Sequence, residues 1–203
     1  MPRALGQIDQ TKRTAILEAA AAVFTERGFS APLELIAARA GVSKQTLYNQ
    51  FGSRDVLLRD LINSRRSLVT AVFDSPGAKD NPEDTLAAFA IALLQRYCAP
   101  GSADLMRIAI SIAREQPDIA STIFESGNLA ARARLAAYLA QQSHLQRLHI
   151  PQPDAAAEQF IGMVAGQLLI GLLLGVQPPP SSDELDQRAH DCAKRFCRAY
   201  ACA

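Results

Sequence analysis

Read for its apolar spacing, the chain falls into helices from one end to the other. From Lys12 the positions Ile16, Ala19, Ala20, Val23 and Phe24 follow helical intervals, and Gly28 ends that helix as a C′ residue. Residues 1–11 read as a frayed arm, and Phe29 folds back onto the core. Ser30-Ala31-Pro32 restarts the chain, with proline in the first turn of a second helix whose buried side is Leu35, Ile36 and Ala40. Gly41 breaks it with the backbone freedom that a tight interhelical turn needs. Ser43 then caps a short helix anchored by Val42, Leu47 and Phe51, the last two sharing one face at four-residue spacing. Gly52-Ser53 is a second break, and Ser53 caps a long helix from Arg54 to about Phe73 with Val56, Leu57, Leu61, Ile62, Leu68 and Val69 inward.

A loop rich in turn formers, Ser75 to Pro82, separates this front from the rest. Helices follow over 82–98 (Leu86, Phe89, Ala90, Leu93 and Leu94 inward), 102–115 (Leu105, Ile108, Ala109 and Ile112), 118–125 and Leu129–Arg147. Two more cover 154–176 and 182–201, the last with Leu185, Ala189, Ala193, Phe196, Cys197 and Tyr200 on its apolar face. The pattern predicts an all-α protein. A three-helix helix-turn-helix head occupies 1–53, and 54–203 forms a connecting helix and a C-terminal ligand-binding and dimerisation bundle.

The run from Phe160 to Val176 is apolar on nearly every side, so it must be buried all round. A membrane span is the competing explanation at that length; Gln167 in its middle and the lack of a basic flank argue against it, and no membrane partner is expected. The better explanation is a helix packed on its own core and on a second subunit. It would contribute Phe160, Val164, Leu168 and Leu172 to a dimer interface with Leu185, Ala189, Phe196 and Tyr200. Gly162/Gly166 and Gly171/Gly175 would let neighbouring helices approach.

Charge changes the picture modestly. The net charge is only +1, yet residues 1–66 hold ten Lys/Arg against six Asp/Glu while residues 67–203 hold eleven against fourteen. A basic front on a slightly acidic body is a modest electrostatic footprint of a nucleic-acid partner, and a chance fluctuation of a few charges carries equal weight without a motif beside it. The four cysteines, Cys98, Cys192, Cys197 and Cys202, form no CxxC pair and match no structural zinc spacing, and the N-terminus lacks the apolar core of a signal peptide, which points to a reducing cytoplasm. His144, His149 and His190 stand apart from catalytic partners. The expectation is a non-enzyme without metal or cofactor.

The chemistry sits on the short helix after Ser43. With Leu47 and Phe51 inward, Lys44, Gln45, Thr46, Tyr48 and Asn49 remain to face a partner. Lys and Gln read base edges, and Thr and Tyr hydroxyls suit phosphate oxygens. This is the pattern of a recognition helix. The run from Arg13 to Leu58 resembles the N-terminal domain of the TetR family of bacterial transcriptional regulators. The matching residues are Ile16-Leu17-Glu18-Ala19-Ala20, Phe24, Gly28-Phe29, Ile36-Ala37, Ala40-Gly41-Val42-Ser43, Thr46-Leu47-Tyr48, Phe51 and Ser53-Arg54-Asp55. Three departures stand out: Gln45 where the family often has Gly, Gln50 where it often has His, and a segment from Gly28 to Ala37 that is one residue short, with Ala31-Pro32 replacing a common Thr/Ser pair. Ser30 is the nearby substitute for the phosphate contact usual at the start of helix 2.

The resemblance implies that Thr46, Tyr48 and Arg54 bind phosphates, and that Lys44, Gln45 and Asn49 touch base edges beside the capping Ser43. It implies a homodimer on a palindromic double-stranded operator, and a repressor released by a small, largely apolar effector. Arg114-Glu115-Gln116-Pro117, Phe124, Ala137-Tyr138-Leu139 and the run at 157–162 are similar to the AefR-like subgroup. Candidate effector-lining residues are Phe89, Leu93, Met106, Ile110, Phe124, Met163 and Gln167. The alternative is a thiol-based redox regulator using Cys98, Cys192, Cys197 and Cys202.

Overall fold

A computed structural model describes residues 5–115 and 117–202. Among the described residues ten α-helices run in order: α1 Leu5–Arg27, α2 Leu33–Arg39, α3 Lys44–Phe51, α4 Arg54–Thr70, α5 Pro82–Cys98, α6 Ser102–Ile112, α7 Pro117–Phe124, α8 Ala130–His144, α9 Pro153–Leu174 and α10 Ser182–Ala199. A 3-10 turn, Ala71–Asp74, follows α4, and a π-turn, Glu125–Leu129, leads into α8. No strand occurs among the described residues.

Two compact units emerge. The first runs to Ser64 and takes in Asp104–Ile123; the second comprises Arg65–Ala103 and the chain from Phe124 onward. The boundary read at residue 53 therefore falls inside the first unit, because α4 continues through Ser64 as part of the same cluster.

In the first unit, α1 packs on α2 and α2 on α3. Ile16, Ala20, Phe24, Ile36, Leu47 and Leu57 are fully enclosed, and Phe24 meets Phe29 at 5.4 Å between ring centres. Three sequence expectations are corrected here. Residues 5–11 are helical rather than frayed, since no helix breaker other than Gly6 interrupts them; residues 1–4 lie outside the described residues. Pro32 sits at the N-cap, not inside the first turn, so α2 is rotated to bury Leu33, Ile36 and Ala37 and leaves Leu35 45% exposed. Val56 likewise points outward, in the first turn of α4, ahead of the buried Leu57, Leu58 and Leu61. The inward positions assigned to the side chains of Ile62, Leu68 and Ile112 lie outside the described residues.

In the second unit, α5 packs against α10 and α9, and α8 against α9. Aromatic rings run through it in contact: Tyr138 with Phe73 at 4.9 Å, Phe73 with Phe89 at 5.1 Å, Phe89 with Phe160 at 6.3 Å, Phe160 with Phe196 at 5.0 Å and Phe196 with Tyr200 at 4.7 Å. The loop before α5 is tied down at one carbonyl, that of Ala78, which accepts from both Thr85 Oγ1 and Tyr138 Oη at 2.9 Å. Asn81 caps α5 by accepting from the Glu83 and Asp84 amides, and Ser181 with Glu184 forms a capping box on α10.

The dimer interface read from the sequence is corrected by this packing. Phe160, Val164, Leu168, Leu172, Leu185, Ala189 and Phe196 are buried inside their own protomer, and Tyr200 is half-buried, donating its hydroxyl to Gln159 Oε1 at 2.8 Å. Branched and aromatic side chains at those positions fill the space between α5, α8, α9 and α10. The expectation that α9 is buried all round fails too. Gly162, Met163, Gly166, Gln167, Ile170 and Leu174 form an exposed stripe at three- and four-residue spacing, with Ile170 51% and Leu174 69% exposed. Of the glycines, Gly171 lies against Gln177, whose Nε2 donates to the Leu168 carbonyl at 3.3 Å, and Gly175 is the left-handed cap of α9. α9 is long and apolar enough, with a mean hydropathy of 1.6, to cross a membrane by length and composition; 39% of that window is buried in the protein.

Candidate nucleic-acid interface

The short helix α3 is held by its ends and one face. Ser43 is extended, and its Oγ accepts the Thr46 amide at 3.1 Å, closing the first turn. Gly41 takes φ +66° in the turn before it, and Gly52 takes φ +68° after it, a sign that favours glycine. Leu47 and Phe51 are buried, so the remaining face is turned out by geometry. Lys44, Gln45, Tyr48 and Asn49 are exposed on it, beside the exposed Ser43 and half-buried Thr46.

These side chains are ordered among themselves. Gln45 Nε2 donates to Asn49 Oδ1 at 2.7 Å, one helical turn on, and the Ser43 and Thr46 hydroxyls lie 2.8 Å apart. Lys44 Nζ lies 5.7 Å from the Tyr48 ring centre and forms an ion pair with Glu34 of α2. Hydrogen bonding within that pair holds the Glu34 carboxyl below its ordinary range and raises the Lys44 ammonium.

Ser30 and Tyr48 come together with Arg54 around an open cleft of about 790 Å³, which Glu34, Ser53, Asp55 and residues of α6 also line. Arg54 is turned inward: Nη2 donates to the Ala31 carbonyl at 2.9 Å, and its guanidinium stands 5.6 Å from the Phe29 ring centre. It fastens the start of α4 to the entry of α2. Ser30 is exposed beside it. A second fastening, not read from the sequence, joins α1 to α4: Arg13 Nη2 meets Asp60 at 2.5 Å, with its guanidinium 4.7 Å from the Phe51 ring centre. Neither that pair nor Glu34–Lys44 has a sequence signature, because the partners are brought together only by packing of separate helices.

The effector-lining residues proposed from sequence are divided between the two units. Phe89 and Leu93 are closed into the packed core of the second unit, where Phe124, Met163 and Gln167 are exposed. Met106 and Ile110 belong to the first unit, and Ile110 is 61% exposed. The thiols are free, and burial pushes Cys98, Cys192 and Cys197 up, the last to about 11. That is the opposite of the lowered value a reactive thiolate needs, so nothing in these sites supports redox sensing. Among the described residues no group of His, Cys, Asp and Glu could hold a metal ion.

Residues 16–61 match the family described as bacterial regulatory proteins, tetR family, and residues 84–202 match the AefR-like transcriptional repressor C-terminal domain. The chain belongs to the TetR family. Among solved structures, a protein of Mesorhizobium loti assigned to the TetR-family transcriptional regulators superimposes with a TM-score of 0.80, at 22% identity over 96% of this chain and 98% of its own. A TetR transcriptional regulator from Agrobacterium tumefaciens gives 0.77, at 26% identity over 94% of each chain. The flavonoid-responsive regulator FrrA gives 0.71, at 29% identity over 94% of this chain and 97% of its own. No curated protein sequence matches the chain. The TetR fold, with a helix-turn-helix domain at the N-terminus and a helical C-terminal domain, is thus the architecture of this transcriptional regulator.

Proposed function

We propose that this TetR-family regulator is a cytoplasmic repressor that binds a palindromic operator as a homodimer and lets go when a small, largely apolar effector binds. The observation that carries the DNA-binding part is the outer face of α3. Leu47 and Phe51 anchor the helix while Lys44, Gln45, Tyr48 and Asn49 stand exposed on its opposite side. A helix of this size presents donors and acceptors to the major groove, with Lys44, Gln45 and Asn49 placed for base edges and Thr46 and Tyr48 for phosphates. Two such helices, related by a two-fold axis, read a two-fold operator with far more discrimination than one.

The exposed apolar stripe on α9 supports the homodimer: Met163, Ile170 and Leu174 cost least in water when a second copy covers them. The relationship to FrrA, named for its response to flavonoids, supports an aromatic, mainly apolar effector. Such a ligand weakens DNA binding only by favouring a state in which the two heads are wrongly spaced.

Selection of preferred duplexes from random DNA tests the proposal directly. An inverted repeat is the expected result, with Lys44→Ala and Tyr48→Ala each weakening binding at unchanged melting temperature. Indifference to every duplex, or full affinity in both variants, would overturn it. A screen for molecules that release the selected duplex then tests the effector.

A further inference from the structure

Glu34 is an oddly placed carboxylate. It sits in the first turn of α2, half of its side chain exposed, on the surface that also carries Tyr48 and Ser30. A duplex brought to this surface carries one phosphate charge for roughly each 1.7 Å of its axis, and a free carboxylate there is repelled. Glu34 is not free. Its Oε1 is paired with Nζ of Lys44, the first residue of the recognition helix. Lys44 gains from the pairing too, since a cation at a helix N-terminus opposes the helix dipole. Asp55, which lines the same cleft, adds negative charge on that side, and the Tyr48 ring flanks the ammonium on the other.

We infer that Glu34 acts as a specificity-determining residue that withholds Lys44 from DNA lacking the right acceptor. In a non-specific complex, Lys44 can reach a phosphate only by leaving Glu34, and this uncovers a carboxylate beside the DNA backbone. The electrostatic gain of one contact is cancelled by the charge exposed. In a matched site Lys44 meets two convergent acceptors on a guanine edge, O6 and N7, and this directional bonding offsets the loss of Glu34. Glu34 thus lowers binding to arbitrary DNA more than binding to the operator. The inference rests on the DNA-binding role proposed above and adds a residue that the family's recognition helix does not itself contain.

Salt titration tests it. The affinity of the full-length protein for its selected operator and for a scrambled duplex is measured across potassium chloride concentrations, for the native chain and for Glu34→Gln. The neutral amide frees Lys44 for a phosphate. On scrambled DNA the slope of log K against log salt then becomes steeper by about 0.9, the value for one more released counterion, and affinity rises several-fold. The operator gains less, so the ratio of the two affinities falls. Glu34→Asp, which keeps the charge, restores the native slope. In a Lys44→Gln background, Glu34→Gln changes the slope on neither duplex.

An unchanged slope in Glu34→Gln, or weaker binding to both duplexes, overturns the inference. So does a gain that persists without Lys44, because Glu34 would then repel DNA directly. Failure of the native chain to bind any duplex at low salt overturns the DNA-binding role itself and this inference with it.

Discussion

Arg188 of α10 donates its Nε–H to the carbonyl of Val164 in α9 at 2.7 Å, next to the point where α9 loses its helical dihedrals. Gly166 there adopts φ +40° and ψ −138°, so the α9 ladder is interrupted and the preceding carbonyls need other donors. Arg188 supplies one, and Cys192 Sγ approaches the carbonyl of Met163 at 3.7 Å. The break lies within the exposed apolar stripe, between Met163 and Ile170, and so sets the course of that stripe along the protein surface.

Gly166→Ala should therefore destabilise the fold by about 1–3 kcal/mol, the usual cost of forcing an L side chain into such a backbone region. The added Cβ would also stand 3.2 Å from Arg188 Nη2, though the end of that flexible side chain can yield. Urea unfolding measures the loss. If Gly166→Ala is as stable as the native protein, α9 is a continuous helix in solution.

A charge in the middle of the α9 stripe should separate protomers. Ile170→Glu and Leu174→Glu alter side chains that are 51% and 69% exposed within one chain, so each chain should keep its helical fold by circular dichroism. Both variants should shift the protein toward monomers in light scattering and weaken operator binding. Phe160→Ala should instead unfold the bundle, with a loss of about 3–5 kcal/mol for a fully buried ring.

The thiols should behave as packing residues. Cys197 is raised from 9.0 to about 11, chiefly by burial, so the folded state keeps a proton that the unfolded chain gives up. Its contribution to stability is fully present below about pH 9 and is lost as pH climbs from 9 toward 11. Cys197→Ala should flatten the alkaline fall in melting temperature over that window. Alkylation at neutral pH should label the exposed Cys202 first, leaving DNA binding intact. Peroxide-induced release that disappears in Cys→Ser variants would instead restore the redox reading.

Arg96 offers a test of burial without compensation. Its Nη1 is enclosed with no hydrogen-bond partner among the described residues, and burial pulls the guanidinium below its ordinary value. The neighbouring Tyr97 ring is centred 5.9 Å away and partly offsets this. Replacing it by an apolar side chain of similar length, Arg96→Met, should leave stability unchanged or raise it by on the order of 1 kcal/mol. A clear fall in melting temperature would mean that the guanidinium bonds to something in solution.

What could be read before folding was whatever the chain states locally. Ser43 as a cap, Gly41 and Gly28 as breaks, and Leu47 and Phe51 as paired anchors need only neighbours within a few residues, and each is found in place. Amphipathic α10 also revealed its inner face, because charged residues mark the outer one. In α9 no such marking exists. With apolar residues on every side, the spacing carries no phase and does not separate the buried side of α9 from the exposed one.

The order of helices, the exposed face of α3 and the family were thus legible in short-range pattern, since caps, breaks and periodicity act over one or two turns. Tertiary structure alone decided which side of α9 looks outward, that Arg54 turns in to Ala31, and that Glu34 meets Lys44. Those outcomes depend on how separate helices pack. Packing is settled by the shape and volume of side chains distant in sequence, which no local pattern records.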